Sequence, residues 1–142
     1  MAASIQDREQ EIIDEFEFFP EWMEKYEHLI ELGKSLPLID DRFKTDDNII
    51  KGCQSRVWLH SEKNENLISY SADSDAVITK GIIALMIRVL NNQPPEDIVK
   101  AELGFIDQIG LKEHLSPTRS NGLVSMVKQM KFYALAHQAK EA

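Results

Sequence analysis

The chain has 142 residues, 43% hydrophobic and 28% charged, with a formal net charge of −8. That size suits a single domain over 1–142 with one core, and no apolar run approaches the ~20 residues that cross a bilayer. The acidic balance argues against nucleic acid, whose phosphates draw affinity from clustered Lys and Arg; it serves either solubility or steering toward a basic protein partner. The opening MAASIQDREQE has neither a basic leader nor an apolar segment and does not read as a secretory signal. One cysteine cannot close an internal disulfide, so a reducing compartment is expected, the cytoplasm by default.

In chain order, Ser4 with Asp7 reads as a helix start, and Ile12, Ile13, Phe16 and Phe19 recur at helical spacing. Pro20 suits the first turn of a second helix carrying Trp22, Met23, Tyr26, Leu29, Ile30 and Leu36, with Gly33 and Pro37 bracketing its end. Residues 38–56 are irregular and polar. The runs RVWLHS and NLISYS then predict a β-hairpin joined by Glu62–Glu65, with Val57 and Leu59 on one face and Trp58 and His60 on the other. Two strands are marginal alone, so PLID at 37–40 is the expected third.

Ala72-Asp73-Ser74-Asp75 offers capping chemistry for AVITKGIIALMIRVL, which is apolar nearly all round and should be the central buried helix. Short helices are predicted at PEDIVK and LKEHL. After Ser116-Pro117 a long helix aligns Leu123, Met126, Val127, Met130, Tyr133 and His137 on one stripe. Helices around a small antiparallel sheet of about three strands make the class α+β.

Cys53, the only thiol, follows Gly52 and lies between Lys51 and Arg56. Nearby cations favour the reactive thiolate, whereas a lone cysteine also serves as a small buried hydrophobe; the dipeptide alone leaves both open. His28, His60, His114 and His137 stand singly beside one sulfur, which does not make a zinc or iron–sulfur ligand set. A cysteine hydrolase would need one of those histidines beside the thiol. Asp73 and Asp75 are either helix caps or acidic contacts, and Arg119-Ser120-Asn121-Gly122 reads locally as a turn and helix start.

The pieces IIELGKSLP, IKGCQSRVW, ADSDAVITKGIIALM and LSPTRSNGL, in this order, resemble the SufE family of sulfur acceptors over about residues 10–138. The resemblance implies a compact α+β fold like that of IscU-type scaffolds. It implies that Cys53 sits at a loop tip and takes sulfur from the persulfide of a SufS-type or CsdA-type cysteine desulfurase, stimulating that enzyme and passing sulfur to a SufBCD-type scaffold. Arg119 is then expected to stabilise the thiolate or the docked partner, and Asp75 to anchor the cysteine loop besides capping its helix. Lys51, Gly52, Gln54, Ser55 and Arg56 would meet the partner, with Gly52 as hinge, while Trp58 and the central helix form core beneath the loop. No cofactor is expected on this chain, since pyridoxal phosphate belongs to the desulfurase, and the resting protein is either a monomer or a homodimer. The alternatives are a regulatory module that binds a desulfurase without carrying sulfur, and the hydrolase.

Overall fold

In a computed structural model the described residues are 4–53 and 55–140. Helix α1 (Ile5–Glu17) opens on a reciprocal cap: the Ser4 hydroxyl accepts from Asp7 N and the Asp7 carboxylate accepts from Ser4 N. Its Ile5, Ile12 and Phe16 are buried. Helix α2 (Trp22–Gly33) follows, preceded by an extended Glu21. Pro20 therefore lies ahead of the helix, not in its first turn; a proline disfavours helical backbone in the residue before it, and the chain uses that break to turn.

Strands β1 (Val57–Asn64) and β2 (Leu67–Ser74) pair antiparallel, from Val57 opposite Ser74 to Asn64 opposite Leu67. The connection is two residues, with Glu65 at φ 58°, tighter than the four predicted. Val57 and Leu59 are buried, as the alternation requires. On the other face the Phe43 ring stacks on His60 at 3.7 Å between centroids, and Lys44 lies over the Trp58 ring. Trp58 is half-buried under this polar segment and is not part of the main core.

The expected third strand shrinks to one parallel bridge, in which Ile39 N donates to Ala72 O and Ala72 N to Pro37 O. It goes no further because Asp40 accepts from Arg42 N and turns the chain into short 3₁₀ turns at Asp41–Phe43 and Asp46–Asn48. The same edge of β2 is covered lower down, where Ile68 N donates to Gln93 O and Asn92 N to Ile68 O. An edge masked in this way offers little template for pairing with another chain.

Helix α3 (Val77–Leu90) is the buried centre, with eleven of its fourteen residues inside. It crosses α2 at two glycines. A Cβ on Gly81 would stand 2.2 Å from the Leu29 carbonyl oxygen, and one on Gly33 would stand 3.0 Å from Gly81 N. Backbones this close leave no room for a side chain, which is what the glycines supply. Short helices α4 (Pro95–Lys100) and α6 (Leu111–His114) match the prediction, and an unpredicted α5 (Phe105–Gln108) lies between them. Helix α7 (Pro117–Lys140) buries Leu123, Met126, Met130 and Ala134, and its Met130 carbonyl accepts from the buried Tyr70 hydroxyl at 2.7 Å. Arg119 to Gly122 form its opening turns. The class is α+β, helices around a small antiparallel sheet.

Candidate functional site

The cysteine loop is closed at its base. Ile50 is buried and its N–H donates to Val57 O at 2.8 Å, while Ile49 bridges Trp58, so the segment that carries Cys53 starts and ends at fixed points. Gly52 has φ 92°, a backbone that side chains rarely adopt, and a Cβ there would meet Ser125 Oγ at 2.5 Å. This turn brings Cys53 down onto α7. Its Sγ lies 3.7 Å from the Gly122 carbonyl, to which the S–H donates. Gly122 presents a bare backbone to the sulfur, since a Cβ there would already touch Sγ at 3.5 Å.

Cys53 and Ser55 roof a small pocket of about 80 Å³ whose other walls include Thr79 and Ile82 of α3 and Arg119 and Met126 of α7. A larger cleft of about 280 Å³ lies elsewhere, by Arg8 and Arg88. Its polar groups are already engaged: Arg8 donates to the carbonyls that end α3, and Arg88 pairs with Glu11 and Glu15. Size alone therefore does not mark the site; the thiol does.

Burial pushes the Cys53 thiol above its ordinary value. In the resting arrangement the thiol is accordingly protonated at neutral pH, and the lowering expected from Lys51, Arg56 or Arg119 is not present. Arg119 borders the pocket, but its guanidinium donates to the Tyr26 hydroxyl of α2 at 3.3 Å. Lys51 and Arg56 are exposed on the loop. Gln54, expected to meet a partner, lies outside the described residues.

Asp75 ties down the far end of the loop: its carboxylate accepts from Arg56 N at 3.1 Å, and its own N–H donates to Arg56 O at 3.3 Å. It does not cap α3. The N-cap is Ala76, without a side-chain bond; Ser74 takes the nearest equivalent role, accepting from Ala76 N and donating to Arg56 O. Asp73 instead pairs with Lys44 at 2.7 Å and Lys80 at 3.2 Å. Burial opposes its ionisation, but hydrogen bonds from Lys44, Ser74 N and Lys80 outweigh that and hold the carboxyl below its usual range.

The histidines are occupied elsewhere: His28 with Glu15, His60 under Phe43, His114 on Trp22 and His137 with Ser61. None of them lines the cysteine pocket among the described residues. The sequence reading missed Thr79, Ser125 and Tyr26. Thr79 had a faint signal as a polar residue inside an apolar helix; Ser125 meets Gly52, and Tyr26 meets Arg119, only through long-range packing.

Against known families, residues 10–134 match the SufE model, described as an Fe-S metabolism associated domain. The chain is 40% identical over 133 residues to "SufE-like protein 1, chloroplastic/mitochondrial" of Arabidopsis thaliana, covering 92% of this chain and 36% of that one, so it spans about a third of the plant protein. It is 37% identical over 126 residues to an uncharacterized SufE-like protein of Rhizobium meliloti, covering 85% of this chain and 90% of that one. A solution structure of a hypothetical protein from Thermus thermophilus superposes with a TM-score of 0.78 at 17% identity, over 93% of this chain and 96% of that one; at that identity the likeness concerns the fold.

Proposed function

The chain belongs to the SufE family, and from that premise we propose that it is a sulfur carrier of iron–sulfur cluster metabolism whose acceptor is Cys53. The observation that supports this reading is a lone, half-buried thiol on a loop fixed at both ends, with a positive-φ glycine beside it, over a pocket of about 80 Å³ that has room for an added sulfur atom.

The desulfurase, which holds the pyridoxal phosphate, presents a cysteine persulfide. Cys53 as thiolate attacks the outer sulfur; a new S–S bond forms at Cys53, the donor's S–S bond breaks, and the donor cysteine leaves as thiolate. No external oxidant or reductant enters, because the sulfane sulfur moves at constant oxidation level. Attack requires deprotonation, which the resting pocket opposes, so docking must first draw the loop into a more polar setting. To Arg119, which lines the pocket and at rest donates to the Tyr26 hydroxyl, we assign the role of favouring the emerging thiolate. The loaded persulfide then returns under the loop and awaits a SufBCD-type recipient in a reducing compartment such as the cytoplasm.

Incubation with a SufS-type or CsdA-type desulfurase and free cysteine should add about 32 Da to Cys53, one sulfur atom. Sulfide release in the presence of a reductant should accelerate, and Cys53→Ser should abolish both effects. Unchanged stimulation by Cys53→Ser would reject the carrier in favour of a binding regulator.

A further inference from the structure

Ser74, Thr79 and Gln93 are polar side chains buried in the frame. Ser74 donates to Arg56 O and accepts from Ala76 N, and Gln93 has a partner of its own. Thr79, in the first turn of α3, is 6% exposed, and its hydroxyl makes no hydrogen bond among the described residues. A buried hydroxyl without a partner is costly, so native structures seldom keep one without a use. No fully enclosed side-chain oxygen or nitrogen among these residues lacks a partner, so the Thr79 hydroxyl must reach open space. The open space that Thr79 lines is the pocket under Cys53.

That pocket holds more donors than the resting thiol can use. Ser55 and Thr118 add hydroxyls and Arg119 a guanidinium, whereas the thiol is itself a donor and already has its acceptor, the Gly122 carbonyl. Loading with sulfur reverses the need. Sγ then carries a second sulfur about 2.0 Å away in place of its proton, so the bond to Gly122 O disappears and the outer sulfur, rich in lone pairs, calls for donors. As an anion it would call for them more strongly. Ser55 is half-exposed and Thr118 exposed, so water competes for both. Thr79 is the hydroxyl that water reaches least, beside the apolar Ile82 and Met126 walls that strengthen any hydrogen bond made there.

We propose that the Thr79 hydroxyl donates a hydrogen bond to the outer sulfur of the Cys53 persulfide and so keeps the loaded loop closed; the proposal rests on the acceptor reading of Cys53. One pocket thereby serves two states of the same sulfur. Unloaded, Cys53 is held through its own proton by Gly122 O. Loaded, it is held through the outer sulfur by Thr79. Because Thr79 touches the cargo in the second state alone, its replacement separates the two.

The test uses the full chain with Thr79→Val and, separately, Thr79→Ser. Each is loaded by a desulfurase and free cysteine, freed of that enzyme, and followed by mass while dithiothreitol removes the added sulfur. The half-life of the persulfide should fall about tenfold in Thr79→Val, as the loss of one hydrogen bond to a charged group predicts, and stay within about twofold of wild type in Thr79→Ser, which keeps the hydroxyl. Alkylation of the unloaded thiol by iodoacetamide should match wild type in both, which shows that loop and fold are intact. An unchanged half-life in Thr79→Val, with wild type and variant each gaining one sulfur, overturns the assignment and leaves the acceptor reading standing. Equal shortening in the two variants overturns it too, because the hydroxyl would then not matter. Unloaded Thr79→Val that alkylates faster by the same factor makes Thr79 a support of the loop and again overturns the proposal. Absence of any mass gain in wild type removes the acceptor reading and this inference with it.

Discussion

Replacing Gly52 with alanine acts on the resting loop through two separate costs. The backbone at φ 92° is foreign to an L-residue and costs about 1–2 kcal/mol. The new Cβ would also lie 2.5 Å from Ser125 Oγ, and moving that hydroxyl aside costs about 0.5–1.5 kcal/mol in rotamer energy. A closed loop destabilised by about 2 kcal/mol opens roughly 30 times more often. Neither cost falls on the frame, since the Ile50–Val57 bond and the core below keep their geometry. Iodoacetamide, reaching Cys53 chiefly through the open loop, should therefore alkylate Gly52→Ala about 10–30 times faster than wild type, and because the closed loop belongs to the native state the melting temperature should also fall by several degrees. Adding Ser125→Ala removes the obstructing oxygen but not the backbone cost, so the rate should fall back about 2–12-fold yet stay above wild type. An alkylation rate within twofold of wild type, or one with the steep urea dependence of global unfolding, would refute the claim that this glycine holds the thiol under cover.

The pH dependence of the same reaction follows from burial, which raises the resting thiol above its ordinary value: the wild-type rate should still be climbing where a free thiol has levelled off, whereas Gly52→Ala should reach its midpoint lower. Gly81→Ala should cost about 2–3 kcal/mol by urea unfolding, because the added methyl meets the Leu29 backbone, which cannot rotate away; a loss under about 0.5 kcal/mol would mean the two helices separate freely. Asp73→Asn tests a depressed carboxyl. Its stabilisation is fully present above its unfolded value of 3.8 and disappears as pH falls through the lower folded value. The variant should be less stable than wild type at pH 7, the gap closing under about pH 3.8; a gap that persists in acid would place the effect outside the Lys44 and Lys80 pairs.

Local patterns carried much of this molecule. The alternation of Val57 and Leu59 with Trp58 and His60 gave the hairpin and its faces, and the apolar run at 77–90 gave the buried helix. What failed depends on partners distant in sequence. Asp75 looked like a cap because acids commonly precede helices, but its carboxylate serves Arg56 N, nineteen residues away. Trp58 was expected to form core beneath the loop, yet the sheet has an overlay on that side from Phe43 and Lys44. The thiol's acidity was read from its neighbours in sequence, Lys51 and Arg56, which face solvent, while Gly122 and Met126 set its surroundings. The motif pieces pointed to the cysteine loop; the surroundings of the sulfur were written in tertiary packing alone.

The bond between Ile50 and Val57 has one more consequence, for distance. It leaves Cys53 on a leash of three residues, whose full extension is roughly 10 Å from the anchor. In the carrier role proposed above, the sulfur cannot travel into a deep active site on its own, so a donor must bring its persulfide out to meet it. A desulfurase whose own cysteine rode on a short, stiff segment would find this carrier out of reach.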